Sequence, residues 1–133
     1  MILTDAGPLV ALVDRGEPDH EPCVDTLAKL RGPMLTTWPA FTEAMYLLGD
    51  AAGWQAQEVL WRLQQRRDLV VEMPAHLDRS VELMRRYRNL PMDLADTTLV
   101  ALAEERGLGT VFSLDKDFKV YRLARGRPFK VLP

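Results

Sequence analysis

Strand-like segments in this 133-residue chain are short, apolar and never adjacent, and that feature constrains its fold more than any other. Ile2-Leu3-Thr4, Met34-Leu35-Thr36, Leu69-Val70-Val71, Thr110-Val111-Phe112 and Phe129-Lys130-Val131-Leu132 each run for only three or four residues. Helical patterns fill the gaps between the first four. Pro8 suits the first position of a helix running through Val13. Cys23, Val24, Leu27 and Leu30 form one stripe of a helix from about Pro22 to Arg31, with Gly32 as its stop. Pro39 opens a third helix that ends near Gly49, and a fourth occupies Gln55 to Gln65. Leu77, Val81 and Met84 mark a helix from His76 to Tyr87 that Leu90-Pro91 breaks; Asp93 begins the last, ending at Gly107. Short strands alternating with helices predict an α/β fold, a parallel sheet covered by helices on both faces, as one domain over residues 1–133.

Composition narrows the class further. At 47% hydrophobic and 27% charged, the chain has the balance of an ordinary globular domain rather than a disordered or fibrous one. No apolar run approaches the roughly 18 residues of a membrane-spanning helix. Met1-Ile2-Leu3-Thr4-Asp5 lacks the basic start of a secretion signal, so a cytoplasmic protein is expected. Cys23 is the single cysteine, which excludes an internal disulfide and a multi-cysteine zinc site. The net charge of −2 is unevenly placed: residues 116–133 carry six bases against Asp117, a balance of +5 that leaves −7 for residues 1–115. Such asymmetry suggests a polyanion partner, or a solvated basic face.

Carboxylates hold the chemistry. Parallel sheets bind ligands beyond the carboxyl ends of their strands, and two strands here run straight into acids: Ile2-Leu3-Thr4 into Asp5, and Thr110 to Leu114 into Asp115, with Asp117 two residues on. Taken alone, each reads first as a helix cap or turn residue. Asp93 and Asp96 stand three apart at the head of a helix whose interior, Leu99 to Ala103, is apolar almost all round. Asp93 suits an N-cap, and Asp96 serves the helix dipole as well as it would a ligand. Glu43 sits in Trp38 to Leu48, where every other residue but Thr42 is apolar or aromatic. It either binds something positive or shares a narrow solvent-facing stripe with Thr42. A carboxylate set without Cys or His favours hard divalent cations. His20 and His76 lie in polar, loop-like contexts. There is no phosphate-binding glycine loop and no G-x-S-x-G elbow, and Cys23 has no evident base. Metal chemistry is the one catalytic kind the chain clearly supplies.

The order of these segments is similar to that of a known family. Asp5-Ala6-Gly7 after the first strand, Thr42-Glu43-Ala44, Leu90-Pro91-Met92-Asp93-Leu94-Ala95-Asp96, and Phe112-Ser113-Leu114-Asp115-Lys116-Asp117-Phe118 resemble the PIN-domain nucleases, in particular the VapC-like toxin ribonucleases of prokaryotic toxin–antitoxin systems. The resemblance covers essentially the whole chain. It implies a PIN-like three-layer fold, with the family's acidic quartet on Asp5, Glu43, Asp96 and Asp115 as catalytic and metal-holding residues. Asp93 and Asp117 would assist or brace the ligands, and the Ser113 hydroxyl would orient the site. Ala6, where a hydroxyl residue is common, and Thr97, where alanine is frequent, depart from the pattern without removing a ligand.

The implied activity is phosphodiester hydrolysis of single-stranded RNA with Mg²⁺ or Mn²⁺. Lys116, Lys119 and Arg122, with Arg85, Arg86 and Arg88, would guide the RNA backbone, and Tyr87, Tyr121 and Trp38 could stack bases. A small antitoxin partner and a homodimer follow from the same resemblance. Three other readings compete: a PIN-fold interaction module without catalysis, an RNA-processing nuclease without a toxin role, and a receiver-type phosphoacceptor. The last needs paired acids after the first strand, where Leu3-Thr4-Asp5 offers one.

Overall fold

The computed structural model describes all 133 residues. Five strands, β1 (Ile2–Thr4), β2 (Met34–Thr37), β3 (Leu69–Glu72), β4 (Thr110–Phe112) and β5 (Lys130–Leu132), form one parallel sheet in the order β3-β2-β1-β4-β5. Six helices connect them: α1 (Ala6–Val13), α2 (His20–Lys29), α3 (Trp38–Ala52), α4 (Trp54–Gln65), α5 (Asp78–Arg86) and α6 (Leu94–Arg106). The α/β expectation holds, with helices on both faces.

Strand alternation explains how three-residue strands can build two cores. Leu3, Leu35 and Val111 point to one face and pack with Leu83 of α5 and the buried run Leu99–Ala103 of α6. Their neighbours Ile2, Met34 and Phe112 point to the other face, against Leu9 of α1, Cys23 of α2, Phe41 and Leu48 of α3, and Leu60 of α4. Burial on both faces is why these strands read as unbroken apolar runs. In α6 every residue from Ala95 to Ala103 is buried.

Boundaries differ from the sequence reading where a tertiary contact overrides a local signal. The Gly49 stop is a correction: α3 runs through it to Ala52 and ends at Gly53, whose φ of 77° only glycine adopts easily. Gly49 is small for another reason. A Cβ there would meet Gln57 Nε2 at 2.3 Å, and Gln57 needs that space to donate to the Met45 carbonyl at 3.1 Å. The first helix begins at Ala6 rather than at Pro8, because Asp5 caps it. Lys116–Lys119 form a 3₁₀ turn too short for any periodicity to reveal. Thr97, a departure from the family pattern, donates its hydroxyl to the Ser80 carbonyl at 2.7 Å and so ties α6 to α5.

The strand order places a reversal beside β1. Successive strands β1, β2 and β3 step one way across the sheet, whereas β4 and β5 lie on the other side of β1. Chain connections diverge from the carboxyl ends of β1 and β4, which leaves a crevice there.

Candidate metal centre

Four backbone features deliver acids to that crevice. Asp5 follows β1 and is the N-cap of α1; its Oδ1 accepts the Ala6 amide at 2.7 Å. Ser113 follows β4, and its hydroxyl donates to Asp5 Oδ2 at 2.8 Å while accepting the Asp115 amide at 3.0 Å. Asp115 caps the 3₁₀ turn by accepting the Asp117 amide at 2.9 Å. Asp93 caps α6 by accepting the Asp96 amide at 2.8 Å, which turns the Asp96 carboxyl inward from the first turn. Asp96 Oδ2 then accepts the Tyr121 hydroxyl at 2.7 Å.

Asp5, Asp96 and Asp115 each bring a carboxylate oxygen within 4.8 Å of the other two. Asp5 and Asp96 are buried, each 6% exposed, and Asp115 is more open to solvent. Glu43 does not join this close group. Its side chain is exposed beside Thr42, on the α3 face opposite Phe41, Ala44 and Leu48. It nevertheless lines the same cavity of about 280 Å³, together with Asp5, Asp93, Asp96 and Asp115. Of the two sequence readings of Glu43, the solvent-facing stripe describes its position, and that stripe lies at the rim of the acidic cavity. Asp117 contributes its amide to Asp115, and its carboxyl does not line the cavity.

No cation of the chain neutralises these acids. The ion pairs are Arg62–Glu58, Arg79 with Glu82 and Glu104, and Arg106–Glu72, all away from the cavity. The carboxyls respond by resisting ionisation. Burial raises Asp5 from 3.8 to about 6, with Glu43 and Asp115 adding to the rise against the lowering hydrogen bonds from Ser113 and Ala6. Burial raises Asp96 to about 8, moderated by the Tyr121 hydrogen bond and reinforced by Asp5, Asp93 and Asp115. Glu43 is pushed upward by partial burial of its carboxyl and by Asp93 and Asp115. A cluster of oxygen donors without an internal counter-charge is the donor chemistry of a hard divalent cation, so the residues present fit one.

Lys116 and Lys119 line a shallow pocket with Ser113 and Asp115, next to the carboxylates. Arg122 folds back, its guanidinium donating to the carbonyls of Lys119, Val120 and Tyr121. Arg85, Arg86 and Arg88 are exposed near the end of α5 and do not line the acidic cavity; Arg86 lies over the Tyr87 ring at 5.3 Å. Base stacking by Tyr121 is ruled out, because that ring is fully buried. Tyr87 packs edge-on against it at 5.2 Å and accepts the Arg122 amide, whereas Trp38 remains 43% exposed. Tyr121 as a partner of Asp96 was not foreseen. No local pattern in Val120-Tyr121-Arg122 marks a residue whose partner lies 25 positions away.

A profile described as the PIN domain matches residues 2–123. Among curated proteins, Ribonuclease VapC26 of Mycobacterium tuberculosis is 23% identical over 135 residues, spanning 99% of this chain and 100% of the relative. Among solved structures, Mycobacterium tuberculosis VapC20, described as a Sarcin-Ricin loop cleaving toxin, matches with a TM-score of 0.84 at 22% identity. That match covers 96% of this chain and 100% of the other. VapBC2 from Rickettsia felis, bound to a DNA fragment from its promoter, matches at 0.68 with 13% identity over 100% of both chains. FitAcB from Neisseria gonorrhoeae matches at 0.60 with 18% identity, over 86% of this chain and 88% of the other.

Proposed function

Because the chain belongs to the PIN-domain family, we propose that it is a metal-dependent endoribonuclease that cleaves single-stranded RNA, and the toxin of a type II toxin–antitoxin pair. One observation carries the chemistry: Asp5, Asp96 and Asp115 converge within 4.8 Å at the sheet's carboxyl edge with no basic side chain among them. The names of the relatives support the rest. Ribonuclease VapC26 and the VapC20 toxin point to RNA, and the VapBC2 and FitAcB structures to an antitoxin partner.

Asp5, Asp96 and Asp115 would hold Mg²⁺ or Mn²⁺. When bound, such an ion polarises the scissile phosphate and lowers the pKa of attacking water. Ser113 keeps Asp5 and Asp115 in register by bonding to both. Glu43, raised above its ordinary range at the rim, would take a proton from the attacking water. Lys116 and Lys119, beside the carboxylates, would attract the phosphate backbone of the RNA. The reading extends to a single nuclease domain over residues 1–133, acting in the cytoplasm as a homodimer. No helix is long and apolar enough to cross a membrane.

The test is direct. Purified protein with Mn²⁺ should cleave single-stranded RNA, and Asp5→Asn or Asp96→Asn should lower the rate by about 100-fold or more. Cleavage that survives both substitutions, or excess EDTA, would refute the mechanism. The alternative of a PIN-fold interaction module predicts no Mn²⁺ binding at millimolar concentration. Growth arrest on expression, relieved by a protein from a neighbouring reading frame, would separate a toxin from an RNA-processing nuclease.

A further inference from the structure

We propose that Tyr121 is a positioning residue of the metal centre, fixing Asp96 for cation binding from outside the ligand set. The proposal rests on the metal reading above. Each of the three converging acids has at least one oxygen tied down by a donor: Asp5 by Ala6 and Ser113, Asp115 by the Asp117 amide, and Asp96 by Tyr121. Asp115 is held by its own turn, and Asp5 both by its own turn and by Ser113, which the pairing of β1 with β4 brings beside it. Asp96 differs in that the single donor to its carboxylate is a side chain, the tyrosine hydroxyl.

The tyrosine is built for that task. Its ring is fully buried and is contacted edge-on by Phe118 at 5.2 Å and by Tyr87 at 5.2 Å, and Phe118 in turn meets Phe129 at 5.8 Å. The backbone is fixed as well: the Tyr121 amide donates to the Asp117 carbonyl at 3.0 Å, and the neighbouring Arg122 amide donates to the Tyr87 hydroxyl at 2.9 Å. A ring held on two sides and a backbone held at two amides give the hydroxyl one place to point. It points at Oδ2 of Asp96 and leaves Oδ1 without any donor from the protein. A carboxylate with one oxygen hydrogen-bonded is restrained from turning about its terminal bond, so the other oxygen would be presented to the ion at lower entropic cost. Removal of such outer partners commonly weakens metal affinity by about 10–100-fold.

Tyr121→Phe deletes one oxygen and keeps the ring. Thr37→Val removes a buried hydroxyl bond, 2.8 Å to Thr98, that does not touch Asp96 or Tyr121. Mn²⁺ affinity of the full chain, read by calorimetry or by the paramagnetic resonance of free Mn²⁺, should weaken by about tenfold or more in Tyr121→Phe and stay at the wild-type value in Thr37→Val. Wild-type affinity in Tyr121→Phe would overturn the proposal. So would equal losses in both variants, or failure of Tyr121→Phe alone to fold, since either marks a packing role only. If the wild-type protein itself binds no Mn²⁺, the metal reading falls first. That outcome is distinct from a wild type that binds and a Tyr121→Phe variant that binds equally well.

Discussion

Asp96 concentrates at one residue the tension that runs through the site. Its carboxyl sits at the head of a helix buried from Ala95 to Ala103, where the first-turn amides favour negative charge, yet burial and three neighbouring acids raise it to about 8. The sign of the resulting pH dependence follows. In the metal-free fold the protonated forms are favoured, so the stability they contribute is complete below 3.8 and drains away as pH rises through about 6 for Asp5 and about 8 for Asp96. In EDTA the thermal midpoint should therefore fall between about pH 4 and pH 8, and Asp96→Asn should flatten the upper part of that fall. Mn²⁺ competes with protons for the same oxygens and should stabilise the protein more at the upper end of this range than at the lower. A midpoint in EDTA that climbs with pH across this range would contradict the assignment. At this scale the sequence was most legible where a residue's neighbours in the chain are also its neighbours in space. Asp5 is bounded by a strand and a Gly-Pro pair, and Asp93 and Asp96 share one helical turn. Glu43 was half legible, because its polar stripe showed locally whereas its place on the cavity rim depended on α6 and on the turn after β4.

Elements begin and end by two kinds of logic, and the two glycines of α3 separate them. Gly53 holds a φ of 77° and a ψ of −169°, with open space where a side chain would go. Gly53→Ala should thus cost about 1–3 kcal/mol through backbone strain alone, read from chemical denaturation. Gly49 has ordinary helical geometry and a crowded neighbour, Gln57, whose amide end is flexible. An alanine there gains about 1 kcal/mol in helix propensity and loses a hydrogen bond of similar worth, so Gly49→Ala should be close to neutral. A large loss at Gly49 with none at Gly53 would reverse this account. Local pattern marks glycine as punctuation in both cases. Only the packing of α4 on α3 distinguishes a stop from a gap, which is why the sequence placed the end of α3 near the wrong glycine. The 3₁₀ turn at Lys116–Lys119 was hidden for a different reason, being shorter than one period of any pattern that could reveal it.

On the scale of the whole molecule, net charge is a poor guide and its distribution a better one. Lys116 and Lys119 flank the carboxylates from the basic C-terminal stretch, within an overall balance of −2. Replacing both by alanine in an Asp96→Asn background should weaken single-stranded RNA binding and make its salt dependence shallower by about 1.4 logarithmic units per decade of salt. Fluorescence anisotropy across a salt series checks this, and an unchanged slope would place the RNA path elsewhere. The class of the fold was readable from alternation alone, but the strand order was not, since nothing local says that β4 returns to the side of β1 left open by β2. That return has a consequence for how the protein comes into being. Leu3 pairs with Val111 across most of the chain, so the loop closed by this contact is among the longest the fold contains. Asp5 and Asp115 meet only when it closes, so no species that lacks the β1–β4 pairing can carry the assembled centre. Recovery of activity during refolding should therefore never run ahead of the docking of β4 on β1.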